Sequence, residues 1–203
     1  MTAVKKFFCI VLVLTVLTGM TSCASKGFDH KKMARFSEKQ DFEAFDDPED
    51  FLKEYNRIIL NKRPDEGAYI TATKSDAREL YDKLLNPVNS LPSCDIEEFT
   101  TVSCNNDDRM LMGVLMTFEE TKDAEKFYKK FSKKYLSKGD KGEQKGYSYT
   151  IYEDEMSKNK TLYWGIYLKG STVLMVRSIC RDTDPDLIDD LCKTYGVIPP
   201  SEY

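Results

Sequence analysis

Histidine is nearly missing from this chain: one residue, His30, occurs in 203. A Ser-His-Asp or Cys-His arrangement needs an imidazole held by the fold as general base. His30 lies in a polar stretch ahead of the first strongly patterned helix, so histidine-dependent catalysis is excluded there. Zinc sites draw on His or on clustered Cys, and Cys9, Cys23, Cys94, Cys104, Cys180 and Cys192 contain no CxxC pair; no metal ligands are assigned. Neither GxGxxG nor GxxxxGK[ST] occurs, and the ten glycines are scattered at turns, so no nucleotide cofactor is expected. An excess of positive charge is lacking too. Thirty Lys and Arg stand against 34 Asp and Glu, net −4, which argues against a nucleic-acid binder with a broadly basic surface. The apolar run from Phe7 to Leu17 falls short of the roughly 20 residues that a membrane-crossing helix needs.

What is present describes a polar globular protein, with 41% hydrophobic and 32% charged residues. Aromatic residues make up 12% of the chain, twelve of them Tyr.

The first 23 residues, MTAVKKFFCIVLVLTVLTGMTSC, order two lysines (Lys5, Lys6), an apolar run and a small-residue segment ending at Cys23. That order is the signature of an export signal, and with its terminal cysteine it resembles a bacterial lipoprotein signal. Met20, Thr21 and Ser22 stand where that class places Leu, a small residue, then Gly or Ala; Met20 departs from the pattern. The resemblance implies acylation of Cys23 and a mature protein tethered outside the cytoplasm through its lipid, and it covers about the first tenth of the chain. Two other readings compete: plain secretion by cleavage after Ala24, and an uncleaved anchor. All three place the folded part outside. Loss of Lys5 and Lys6 takes the formal charge from −4 to −6.

The expected organisation is a signal over 1–22, a flexible tether over 23–36 and one domain over 37–203, within the usual single-domain range. Asp47-Pro48-Glu49-Asp50 opens a helix with a capping acid, Pro at the first position and more acid at the positive dipole end, followed by Phe51, Leu52, Tyr55, Ile58 and Ile59 at helical spacing. Ser75 is expected to cap a second helix, with Ala77, Leu80, Tyr81, Leu84 and Leu85 on one face. Thr121–Leu136 predicts a third helix, and Asp184-Pro185-Asp186 opens a last one, ended by Gly196. Strands are expected near 68–72, 98–104, 110–118, 147–152, 162–168 and 172–179, with Asn105–Asp108 turning one hairpin and Lys169-Gly170 another. Met110–Phe118, apolar on both faces, suits a central strand. The fold expected is α+β: an antiparallel sheet of about five or six strands with helices packed mainly on one face.

Four patterns invite a chemical reading. Asp182-x-Asp184-x-Asp186 imitates a calcium loop, but Leu187 and Lys193 replace the required Gly and Glu. Ser157-x-x-Lys160 fits the serine–lysine pattern of penicillin-binding enzymes without its companions. Tyr147, Tyr149, Tyr152, Tyr163, Trp164 and Tyr167 crowd two strands; alternation sets Tyr163 and Tyr167 on one face and Leu162, Trp164, Ile166 and Leu168 on the other. These rings either stack a ligand or cover the sheet. Between Lys122 and Lys145 nine lysines, among them Lys129, Lys130, Lys133 and Lys134, face four acids: Asp123, Glu125, Asp140 and Glu143. They form a candidate face for an anionic lipid or wall polymer.

Export also places cysteines where disulfides persist, and Cys180–Cys192 and Cys94–Cys104 are the expected pairs, each joining neighbouring segments. No catalytic residue is assigned. The reading is a membrane-tethered extracytoplasmic binding or structural component of the envelope, more than an enzyme, with no cofactor and with its protein partner unassigned. The alternatives are a hydrolase using carboxylates, such as Glu119 and Glu120, and a thiol–disulfide module.

Overall fold

A computed structural model describes residues 27–60, 66–86, 91–105, 109–157, 159–181 and 186–202. Eight strands form one sheet: β1 (Glu43–Phe45), β2 (Gly67–Thr73), β3 (Ile96–Asn105), β4 (Arg109–Phe118), β5 (Asp140–Gln144), β6 (Tyr147–Ser157), β7 (Lys160–Lys169) and β8 (Thr172–Arg181). Their order is β1-β2-β3-β4-β8-β7-β6-β5. Every neighbouring pair is antiparallel except β1–β2.

The sheet is mostly antiparallel, as expected, but wider than five or six strands. The two additional strands carry no alternating apolar signal. β5 reads Asp-Lys-Gly-Glu-Gln and joins the edge through its backbone ladder to β6, and β1 is three residues long. β4 lies at the centre, between β3 and β8, which accounts for a strand apolar on both faces. The β7–β8 turn is one residue later than expected: Lys169 pairs with Thr172, leaving Gly170 and Ser171 at the bend, with Gly170 at φ 57°.

Helices cover both faces of the sheet, which corrects the one-sided expectation. On the first face lie α2 (Pro48–Ile59), α3 (Lys74–Leu80) with a π-helical turn over Tyr81–Leu85, and α4 (Thr121–Tyr135). Their Phe51, Ile58, Leu80, Phe127 and Phe131 bury against Ile70, Phe99, Val114, Met116 and Ile166. On the opposite face α1 (His30–Lys39) and α5 (Asp186–Tyr195) set Met33, Phe36, Ile188 and Leu191 against Val102, Leu111, Leu174, Val176 and Tyr167. Gly113 lets α5 approach: a Cβ there would lie 2.8 Å from both Leu191 Cδ2 and Val102 Cγ1.

Asp47 caps α2 as the sequence predicts, its Oδ1 accepting the Asp50 N–H at 3.0 Å with Pro48 at the helix start. At α3 the cap position is Thr73 rather than Ser75, and its side chain makes no capping hydrogen bond. Asp184 and Pro185, expected to open α5, lie outside the described residues, as do Asp182, Cys23 and the export signal.

α1 is the main departure. The segment expected to be a tether as far as residue 36 is folded from Phe28 onward. Phe28 is buried, its N–H donating to Thr172 Oγ1 at 2.8 Å, and α1 buries His30, Met33, Phe36 and Ser37. That stripe escapes a hydropathy reading because two of its four members are polar.

Candidate functional site

The register sets one row of side chains across the first face: Ser103 opposite Met112, Met112 opposite Arg177, Arg177 opposite Trp164, and Trp164 opposite Tyr152. The helices do not fully cover this row. Between Tyr55 of α2, Leu84 and Leu85 after α3, and Phe131 and Tyr135 of α4, an open groove of about 190 Å³ reaches the sheet. Its floor is Met112, Val114, Met175, Arg177 and Trp164.

The α4 wall is an aromatic cluster. Phe131 meets Trp164 edge-on with centroids 5.7 Å apart, Tyr135 tilts against the same indole at 6.0 Å, and Phe131 and Tyr135 lie 4.8 Å apart. Tyr135 is 37% exposed at the rim. Burial raises the Tyr55 phenol above its ordinary pKa, a shift that the Arg177 cation opposes, and the phenol stays protonated at neutral pH.

Arg177 is the only charged side chain lining the groove among the described residues. Its guanidinium lies over the Trp164 ring, 5.2 Å from the centroid. Its Nε–H is buried and has no hydrogen-bond partner among the described residues. A buried donor of this kind is rare in folded proteins and costs free energy while it stays unpaired. Sequence reading passed over Arg177; its signal is a lone cation inside the apolar run Val173–Ile179.

Two larger depressions are walled by polar groups. One of about 420 Å³ runs beside Thr121, Glu125 and Glu143–Ser148, where Ser148 Oγ donates to Glu143. Another, of about 500 Å³, lies at Arg78, Asp95, Glu97 and Glu119. There Arg78 donates to Asp82 at 2.9 Å and to the Cys94 carbonyl at 2.7 Å. Glu119 and Glu120 are both exposed.

The crowded aromatic strands divide by face as alternation predicts. Tyr147, Tyr149, Tyr163 and Tyr167 are buried under α1, α5 and the chain end, where Tyr167 Oη donates to the Ile198 carbonyl at 2.6 Å. Trp164, half-buried with Tyr152 on the other face, supplies the groove. Ser157 and Lys160 pair across the β6–β7 turn, and both are exposed.

His30 is not in a flexible segment. It is 7% exposed at the start of α1, with Nδ1 2.7 Å from Thr100 Oγ1 and Nε2 2.8 Å from Thr117 Oγ1. Burial holds its pKa down at about 4, against a smaller upward pull from Asp29. The ring is therefore neutral at pH 7, and the Glu98 carboxylate 3.7 Å away is a polar neighbour rather than an ion-pair partner. A neutral imidazole has one donor and one acceptor nitrogen, and two threonine hydroxyls match them. The group acts as a latch between α1 and the sheet.

The four described cysteines are buried, and neither expected disulfide is formed among them in this structure. Cys94 and Cys104 belong to cores on opposite faces of the sheet. Cys180 and Cys192 share a core, but Cys180 Sγ contacts Ser178 Oγ at 3.1 Å and Cys192 Sγ the Tyr167 hydroxyl at 3.9 Å. Burial pushes the Cys104 thiol up to about 11 and raises Cys94 and Cys192. Reactive cysteines are shifted the other way, which runs against a thiol–disulfide module.

Lys129, Lys130, Lys133 and Lys134 are all exposed along α4. Lys129 reaches Glu125 at 3.4 Å, and Lys134 lies over the Tyr135 ring at 5.0 Å. Among the described residues no helix is long and apolar enough to cross a membrane.

Compared with protein-family models and with curated proteins, the chain matches none. Among solved structures it is similar to the extracellular domain of PknH from Mycobacterium tuberculosis, at 8% identity and a TM-score of 0.40, over 63% of this chain and 80% of that one. At that level the similarity bears on neither function nor location.

Proposed function

We propose that the chain is a membrane-tethered extracytoplasmic lipoprotein whose folded body binds a ligand without transforming it. The order of Lys5-Lys6, the Phe7–Leu17 run and Cys23 supports the tethering. Five residue steps then separate Cys23 from Phe28, at most about 18 Å of extended chain, so the body stays near the headgroups. Phe28 is fixed at Thr172, and α4 starts at the same end of the sheet, where the Phe118 N–H donates to the Ser171 carbonyl at 2.9 Å. α4 runs up the sheet from that end, and its exposed lysines supply the positive charge that supports a contact with an anionic surface.

The observation that carries the binding role is the buried Nε–H of Arg177, without a partner among the described residues, in a groove whose described lining holds no other charge. Such a donor holds an anion. Among the described residues the lining supplies no carboxylate, thiol or imidazole to act on one.

Intact mass of protein extracted from membranes tests the tether. The expected product begins at Cys23 and carries a diacylglyceryl group; a soluble form beginning at Ser25 would overturn it. Cys23→Ala is expected to release the body or leave the leader uncut.

A further inference from the structure

We infer that the Trp164–Arg177 groove is a binding site for a small aromatic monocarboxylate, its ring against Trp164 and its carboxylate on the Arg177 guanidinium. This rests on reading the groove as a binding site.

Size sets the first limit. At about 190 Å³ the groove is below the roughly 300–1,000 Å³ of drug-sized ligand sites, so it admits one ring and a short chain, not a dinucleotide or an oligosaccharide.

The walls set the second. Phe131, Tyr135 and Trp164 already pack edge-on or tilted on one another. Aromatic rings prefer such partners, their positive edges meeting negative faces. A ring entering from the open side meets an indole on the sheet and a phenol at the rim. An aliphatic chain would gain only area there.

Charge sets the third. One cation lines the groove, with no carboxylate among the described lining residues to balance it. The aromatic face beneath Arg177 attracts the cation but satisfies no N–H. A carboxylate neutralises the guanidinium and accepts charge-assisted hydrogen bonds from it, the Nε–H included once the side chain turns that edge to the groove. The Tyr55 hydroxyl, 3.9 Å from the poor acceptor Met112 Sδ, is placed to become a second donor to the same anion. With a single cation the site favours one carboxylate over two.

Trp164 is the only tryptophan in the chain, so its fluorescence reports from the groove itself. The experiment titrates the full chain in detergent with 3-phenylpropionate, 3-phenylpropanamide and hexanoate at neutral pH. The acid is expected to shift Trp164 emission saturably, with the neutral amide weaker by about tenfold or more, the scale of one charge-assisted hydrogen bond. Hexanoate is expected to bind more weakly than 3-phenylpropionate. Arg177→Met should remove the preference for acid over amide. Tyr135→Ala, at the exposed rim and outside the core, should weaken the acid while leaving that preference in place. Equal binding of acid and amide, or of hexanoate and 3-phenylpropionate, would overturn the ligand assignment and leave a binding groove standing. No change in Trp164 emission or in melting temperature with any of the three compounds would overturn both.

Discussion

Arg177 and Trp164 face each other across the β7–β8 ladder, the guanidinium carbon 5.2 Å from the centre of the indole. The pairing is fixed by register, so the cation stays on the sheet floor between α2 and α4. It also leaves the Nε–H buried without an acceptor. A chain selected for stability alone would place an apolar residue there; Arg177 bears a desolvation cost whose return is an anion in the groove.

Arg177→Met should therefore stabilise the unliganded protein. Removing a buried unsatisfied N–H recovers about 1–3 kcal/mol, against about 0.5–2 kcal/mol lost with the cation–π contact. The net gain is on the order of 1 kcal/mol, raising the thermal midpoint by about 2–4 °C for a chain of this size. A clear fall in the midpoint would show that Arg177 is a structural residue.

Acid should destabilise the fold through His30. The unfolded imidazole takes a proton near 6.5, while burial keeps the folded one neutral down to about 4. Between those values the unfolded state binds more protons, so stability falls as pH drops through the window, by about 2 kcal/mol from pH 7 to pH 5. Above pH 7 the effect is flat. Asp29 pulls the imidazole the other way, and the raised Glu98 carboxyl, protonating more readily in the fold, offsets part of the loss. Urea denaturation of wild type and His30→Gln at pH 7 and pH 5 measures the difference. The same slope in both proteins would remove His30 as its source.

The four described thiols should resist an aromatic disulfide reagent in the native protein and react together on unfolding. All four are buried, and burial raises Cys94, Cys104 and Cys192 above the ordinary thiol pKa. Alkylation in denaturant without reductant, followed by intact mass, is expected to label every one of them. Labelling of only two would mean that a disulfide forms after export.

The α4 face should bind anionic vesicles. Lys129, Lys130, Lys133 and Lys134 are exposed, and each well-placed lysine near such a surface contributes about 1 kcal/mol, fading within a Debye length of about 8–10 Å. Co-sedimentation of the unlipidated mature chain should favour anionic over neutral vesicles at low salt and fail after Lys→Gln at all four positions. Equal binding to both vesicle types removes lipid as the partner; retention on an anionic wall polymer in the same series would assign the face to that instead.

Local signals carried much of the fold. Asp47-Pro48 starts a helix because an acid and a proline satisfy its first turn from within four residues, and the structure shows that bond. The doubly apolar run Met110–Phe118 lies at the sheet centre, where helices cover both of its faces. Alternation divided Tyr163 and Tyr167 from Trp164 and Ile166 because a strand turns each side chain to the opposite face.

The remaining features are set by contacts that leave no hydrophobic period in the sequence. α1 carries His30 and Ser37 on its buried side. The imidazole is satisfied by Thr100 and Thr117, 70 and 87 residues away, while Ser37 Oγ donates to the Met33 carbonyl one turn back. β1 and β5 exist through backbone pairing, which leaves no periodic trace in side chains. Cys94 and Cys104, ten residues apart, lie on opposite faces because the irregularity between Ile96 and Glu98 shifts the alternation of β3. Arg177 becomes the cation of an aromatic groove only when β4, β7 and β8 lie side by side with α2 and α4 above them. Hydrophobic period is a property of adjacent residues and can be read along the chain; a hydrogen-bond acceptor, a covering helix or a neighbouring strand is supplied by the tertiary structure.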